Sequence, residues 1–343
     1  MAPLDNYSSK FSANGIMFLP MAQSRKVVSP FQDMQFALRL IRLYRKERPD
    51  LVHHFTIKPV IYGSIAAGIA KVRAIIIAVT GLGYMFMTQG VKGKGLKVVV
   101  SILYKIALSG KAKLVIFQNP EDHETFLSKR LLKKEKAFVI RGSGVDVKRF
   151  VPSGDRKGDP VILLAARMLW AKGIGELILA ARLLHEWKVP CKVVLAGKAD
   201  PGNPTSISEA ELRKMNSEGV VSWIGHHEDI EKIYGTADIV VLPSYYPEGV
   251  PKNLIEAAAC GLPLVATDVP GCREVVRHGE NGLLVPVKDS QALAIALKTL
   301  IEDKDLRARM GKRSREIAVA EFSQEKIISE TLSVYERVLN QSI

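Results

Sequence analysis

Glu248 and Glu256 stand on either side of Gly249-Val250-Pro251-Lys252-Asn253-Leu254-Ile255, so two carboxylates bracket a loop and the helix that follows it. The apolar run Ile239 to Leu242 reads as a short buried strand leading into that loop, and Asn253 through Cys260 reads as a helix closed by Gly261 and Pro263. Amides in the first turn, from Lys252 to Ile255, lack intrahelical partners in such an arrangement and face the strand end, where a phosphate can accept their hydrogens. Lys252 adds a positive charge. A second pair, Arg167 and Lys172, follows the predicted strand Val161 to Ala165. Two cations at a strand-to-helix junction can clasp a diphosphate, the guanidinium as a fork and the ammonium as a point charge. Taken alone, each pair also fits an ordinary solvated junction, with Glu248 capping a loop and Glu256 facing water.

The elements needed to position these groups recur along the chain. Leu51 to His54, Ala74 to Val79, Lys113 to Phe117 and Ala137 to Ile140 read as short branched strands alternating with helices, which implies parallel sheet covered on both faces. The polar, Gly- and Pro-bearing stretch 152–160 reads as a linker. Beyond it a second alternation begins, with strands at Val161 to Ala165, Lys192 to Ala196, Val220 to Ile224, Ile239 to Leu242, Leu264 to Ala266 and Gly282 to Val285. Between the second and third of these strands a helix is expected over Ser206 to Asn216, and the tail carries three amphipathic helices. Ligands of doubly wound sheets bind beyond the carboxyl ends of the strands, which places His53, His54, Lys58, Thr80 to Gly83, Asn119 and Gly144 at one such rim and Arg167, Lys172 and Glu248 at another.

The run from Glu248 to Glu256, extended by Gly261 to Asp268, Gly271, Glu274 and Asn281-Gly282, resembles the Glu-x7-Glu signature of retaining glycosyltransferases in the glycogen-synthase-like family 4 group. That resemblance implies an α/β GT-B fold, two Rossmann-like domains facing across a cleft. Residues 1–155 are then the acceptor-side domain, 156–325 the nucleotide-sugar domain, and 326–343 a C-terminal helix packing back on the first. It further implies that Glu248 lies by the donor sugar, that Glu256 binds the ribose hydroxyls, and that Arg167 and Lys172 neutralise the donor diphosphate. The donor site would comprise Arg167, Lys172, Gly249, Val250, Lys252, Asn253, Leu254 and Glu256, with no cofactor and no metal required. His54-Phe-Thr-Ile-Lys-Pro59 and Thr80-Gly-Leu-Gly-Tyr84 resemble the branch acting on lipid-linked sugars in glycan, O-antigen or capsule synthesis, which makes His54 a fourth catalytic candidate. Phe55 departs from that pattern, since many relatives carry a histidine there. Against the family pattern, the first strand, glycine-bearing turn and helix are expected to be largely absent, with Gly15 to Leu19 as the next strand. The implied activity is transfer of a hexose or N-acetylhexosamine from a UDP-sugar to a polyprenyl-diphosphate-linked sugar. A non-catalytic sugar-nucleotide-binding or assembly protein, or a transferase with a soluble acceptor, stays open as an alternative.

Bulk properties narrow the classes. The chain has 343 residues, is 47% hydrophobic and carries a net charge of +14. Through Pro160 there are 27 Lys/Arg against 11 Asp/Glu, so the first half holds the basic surface while the remainder is near neutral. Such a field attracts an anionic membrane or a phosphorylated acceptor. Nucleic acid is disfavoured, because no zinc-finger spacing, RNP-like strand or basic low-complexity tail accompanies the charge. The segments Phe31 to Arg48 and Lys92 to Lys113 interleave apolar and basic residues as helices, which can lie at a lipid surface or simply pack on a sheet. Three cysteines outside any metal-binding spacing, and no apolar run long enough to span a bilayer, suggest a cytoplasmic protein with peripheral contact at the inner membrane face.

Overall fold

Branched and aromatic residues at the start of the chain form a four-stranded parallel sheet in the order β1-β2-β3-β4: β1 (Leu51–Phe55), β2 (Ala74–Val79), β3 (Lys113–Phe117) and β4 (Ala137–Val139). The computed structural model describes residues 11, 14–21, 30–81, 91–110, 113–154, 156–246 and 249–340. Every residue of β2 and β3 is buried, and an Ile/Val run apolar on both faces requires cover on both. Helices α1 (Pro30–Glu47), α2 (Ser64–Ile69), α3 (Val91–Leu108) and α4 (Pro120–Ser128) lie in the first half. On one face Leu40, Tyr44, Ala67, Tyr104 and Phe126 pack against Ile75, Ile77 and Phe117.

The second sheet has six parallel strands in the order β10-β9-β8-β5-β6-β7. They are β5 (Val161–Ala165), β6 (Lys192–Ala196), β7 (Ser222–Gly225), β8 (Ile239–Leu242), β9 (Leu264–Thr267) and β10 (Gly282–Val285). Its helices are α5 (Ile174–Glu186), α6 (Glu209–Ser217), α7 (Ile230–Tyr234), α8 (Lys252–Ala259), α9 (Pro270–Arg273), α10 (Ser290–Glu302) and α11 (Lys304–Glu321). The chain runs outward from β5 to β6 and β7, then returns to β8 on the other side. The order therefore reverses between β5 and β8, which opens a crevice at their carboxyl ends.

The last helix, α12 (Gln324–Asn340), crosses back to the first sheet. Its Ile327, Val334 and Val338 close the second face over Ala74, Ile76, Leu114 and Ile116. The two crossings are tied together: Val145 N donates to the Phe322 carbonyl and Gln324 N to the Val145 carbonyl, both at 2.9 Å. Arg141 reaches from the first crossing to Glu321 at 2.9 Å.

Two sequence expectations change. Residues 15–19 form a turn and irregular chain rather than a strand. Asn14 N and Ile16 N both donate to the Phe11 carbonyl, and Ile16 and Met17 face solvent, so among the described residues no strand pairs with 15–19 to reward extension. The helix expected from Ser206 begins at Glu209, because Ser206 and Ile207 are drawn into the loop beside Met168, leaving Ser208 as the N-cap of a reciprocal pair with Glu211.

Candidate active site

At the crevice between β5 and β8 lies an open cavity of about 500 Å³, lined among others by Arg149, Arg167, Lys198, His226, Asn253 and Glu256. Each wall follows from the local chain. Where β6 ends, Gly197 takes φ +147°, and a β-carbon there would collide with the Ala166 carbonyl, so only glycine lets the two strand ends meet at the cavity floor. Asn253, in the first turn of α8, donates from Nδ2 to the Ala165 carbonyl at 2.9 Å and so pins that helix start to the end of β5.

Glu256 sits one turn further along α8, with its side chain only 13% exposed. Beneath it the fully buried Tyr234 hydroxyl lies 3.3 Å from Glu256 Oε2 and 3.1 Å from the Asn253 carbonyl, a bifurcated donation that fixes the carboxylate. Burial raises the Glu256 pKa, and Lys252 at 3.9 Å works against that shift. A carboxylate has about four acceptor sites, so beyond the Tyr234 contact Glu256 keeps capacity to accept hydroxyl hydrogens. On the opposite wall Arg167 extends from β5, 57% exposed, with Nη1 donating to Asp200 at 2.8 Å. The Asp200 loop is itself built in: Asp200 N donates to Ser206 Oγ, and Trp170 N to the Thr205 carbonyl. The cavity is thus lined by both a forked cation and a largely buried carboxylate.

Residues 146–317 match the family described as glycosyl transferases group 1, and residues 4–119 match the one described as glycosyl transferase 4-like. The chain belongs to the group 1 glycosyltransferases. It is 30% identical to the N,N'-diacetylbacillosaminyl-diphospho-undecaprenol alpha-1,3-N-acetylgalactosaminyltransferase of Campylobacter jejuni, over 99% of this chain and 90% of that protein. It is 28% identical to the UDP-Gal:alpha-D-GlcNAc-diphosphoundecaprenol alpha-1,3-galactosyltransferase of Escherichia coli, over 90% of this chain and 80% of that protein. Among solved structures, Anabaena HepE in complex with UDP and glucose superposes with a TM-score of 0.77 at 24% identity, covering 95% of this chain and 89% of that one. The fold of this glycosyltransferase is therefore GT-B, with two Rossmann-like sheets.

Of the residues the sequence singled out, the structure brings Arg167, Asn253 and Glu256 into the cavity. Lys172 lies in the 3-10 turn Trp170–Lys172 after β5 and is not among the cavity's lining residues. Glu248 lies outside the described residues, as do Gly83 and Tyr84. Gly249 and Val250 touch Gln118 and Thr80 of the first domain, and Lys252 is largely exposed on the first turn of α8. The amides of Leu254 and Ile255 already donate to the Pro251 carbonyl at 3.2 and 3.3 Å, which narrows the anion cradle expected at this helix start, and the Leu254 side chain is core.

His54 is placed away from the cavity. Its ring is buried in the first domain, with Nδ1 3.0 Å from Ser64 Oγ and Nε2 2.9 Å from the Tyr44 hydroxyl, and Gly63 is kept small by the same ring. His53 likewise bonds Tyr335 of α12 at 2.7 Å, and Lys58 is locked to Asp33 in a buried ion pair at 2.6 Å. Burial, helped by the nearby charges of His53 and Lys113, pushes the His54 pKa down to about 3. The folded chain therefore keeps this ring neutral while the unfolded chain takes up a proton below its ordinary value of 6.5. Stability from this group is fully present above pH 6.5 and drains by about 1.4 kcal/mol per pH unit as pH falls toward 3. Wild type should lose roughly 2 kcal/mol more than His54→Gln between pH 6.5 and pH 5, read from urea midpoints. Equal losses in the two proteins would rule out His54 as the source.

Three contributors escaped the sequence reading: Arg149, Tyr234 and Asp200. Arg149 enters the cavity from the crossing segment and donates to Glu231 at 2.7 Å. None carries a local signal beyond its residue type, because each acts on a partner far away in the chain.

Proposed function

We propose that this glycosyltransferase is a retaining enzyme that moves a hexose or N-acetylhexosamine from a UDP-sugar to a polyprenyl-diphosphate-linked sugar in surface glycan synthesis. The observation that carries the reading is the cavity lined by both Arg167 and the Tyr234-supported Glu256. The Campylobacter and E. coli relatives are named for diphospho-undecaprenol-linked sugars, which supports the acceptor class. HepE, whose structure holds UDP and glucose, supports the donor class. In this scheme Glu256 accepts the ribose hydroxyls, while Arg167, assisted by Lys172, takes the growing charge of the departing diphosphate. The bond from the anomeric carbon to the diphosphate oxygen breaks, and the acceptor hydroxyl oxygen attacks the same face. Its proton passes to the leaving phosphate oxygen, with Glu248 supporting the donor sugar.

The first domain offers a surface for reaching a lipid-linked acceptor. Along α1, Phe31, Met34 and Leu38 are 69%, 61% and 49% exposed on one stripe, flanked by exposed Arg39, Arg42 and Arg45. On α3, which packs into the same core layer, Ile102 and Ile106 are exposed beside Lys105. Apolar side chains rimmed by basic ones suit an anionic bilayer surface, and among the described residues no helix is long and apolar enough to cross one.

Purified protein should release UDP from a UDP-sugar when given a polyprenyl-diphosphate-linked sugar. It should also sediment with phosphatidylglycerol vesicles about tenfold better than with phosphatidylcholine vesicles, a preference lost in the Phe31→Ser, Met34→Ser, Leu38→Ser triple variant. Turnover on soluble oligosaccharides that ignores lipid would sink the acceptor assignment, and equal sedimentation with both vesicle types would sink the membrane contact.

A further inference from the structure

Gln118 follows β3 at the carboxyl edge of the first sheet, and its side chain crosses the cleft to the donor loop of the second domain. Its Oε1 accepts the Val250 amide hydrogen at 3.1 Å. The neighbouring Gly249 is wedged against the same side chain and the Thr80 carbonyl, with no room for a β-carbon. Val250 is buried, and its side chain also meets Gly142 of the crossing segment. The peptide between residues 249 and 250 is therefore gripped by the first domain's strand ends on one side and by the interdomain crossing on the other.

We infer that Gln118 is a positioning residue that couples closure of the two domains to the geometry of the donor loop, an inference that rests on the transferase reading above. An uncharged acceptor is suited to this place. A leucine would leave the Val250 amide buried without a partner, whereas a glutamate would satisfy that amide but set a negative charge beside an incoming diphosphate. The carboxamide NH2 of Gln118 supplies a donor of the kind a sugar hydroxyl or phosphate oxygen accepts. Closure thus aligns the Gly249–Val250 peptide from the acceptor side, while the nucleoside cavity, which neither residue lines, stays intact.

The test uses the full chain with Gln118→Leu and Gln118→Glu. Gln118→Leu should lower kcat about 10- to 100-fold with the Kd for UDP within threefold of wild type, because alignment fails while nucleotide binding persists. Gln118→Glu should show the opposite split, with kcat within threefold and donor KM raised about tenfold. X-ray scattering of UDP-saturated protein reads closure without turnover, and Gln118→Leu should be less compact than wild type. Unchanged kcat and unchanged scattering in Gln118→Leu would overturn the inference. So would a loss of kcat matched by an equal loss of UDP affinity, which marks a merely structural residue. Wild type that neither binds UDP nor turns over a UDP-sugar would instead overturn the transferase reading itself.

Discussion

Arg167→Ala should turn over its donor about 10²- to 10³-fold more slowly than wild type, at saturating donor and acceptor. Breaking the bond to the anomeric carbon delivers negative charge to the diphosphate, and among the cations lining the cavity Arg167 is the one that issues directly from the end of β5. Its partner Asp200 holds it in place before any ligand arrives, at 2.8 Å, through a loop fixed by Ser206 and Thr205. With the arginine 57% exposed, this pair is worth no more than about 1 kcal/mol, so a diphosphate can take the guanidinium over without a large penalty. Arg167→Lys keeps a charge but loses the fork, and should recover only part of the loss. The binding signature is specific. Arg167→Ala should weaken UDP while leaving uridine unchanged in calorimetry, since the proposed scheme assigns the ribose to Glu256, which Tyr234 supports. If kcat stays within threefold of wild type, the leaving-group assignment fails.

Much of this arrangement was open to reading from residue patterns. The strands Val161–Ala165, Lys192–Ala196 and Ile239–Leu242 fall where their branched runs placed them, and α8 begins within one residue of its expected start. These are segments whose burial on both faces leaves an apolar run as the dominant signal. β7 is less plain, because the pairing with β6 slips between Leu195 and Ala196 and carries the strand on to Gly225. Residues 15–19 misled for the converse reason: Ile16 and Phe18 carry strand propensity, yet among the described residues no adjacent strand completes the pairing. At the site, residue types together with the family resemblance singled out Arg167, Lys172, Glu248, Asn253 and Glu256, of which Arg167, Asn253 and Glu256 line the cavity and Lys172 does not. Periodicity is silent on contacts spanning the fold, such as Gln118 to Val250 or Arg149 to Glu231. A histidine pair at a strand end suggested chemistry. Whether Tyr44 and Ser64 occupy the His54 nitrogens is decided by packing, which the local sequence does not encode.

Gly249→Ala should cost at least about 10²-fold in kcat while leaving both folding and UDP affinity close to wild type. The β-carbon would strike the Gln118 side-chain oxygen and lie 2.5 Å from the Thr80 carbonyl oxygen. The glutamine can swing aside, whereas Thr80 is backbone at the end of β2, and β2 is buried between its neighbours. Relief must therefore come from moving the domains apart, and a displacement near 1 Å suffices to spoil attack geometry without touching the cavity between β5 and β8. The double variant Gly249→Ala, Gln118→Ala separates the two obstacles. Removing the side chain leaves the Thr80 carbonyl in the way, so the double variant should stay as slow as Gly249→Ala. Recovery to within a few-fold of Gln118→Ala alone would show that the glutamine was the whole obstruction and that the backbones do not need to approach. Scattering completes the argument: UDP-bound Gly249→Ala should be measurably more extended than wild type, because the methyl group occupies the space into which the second domain closes.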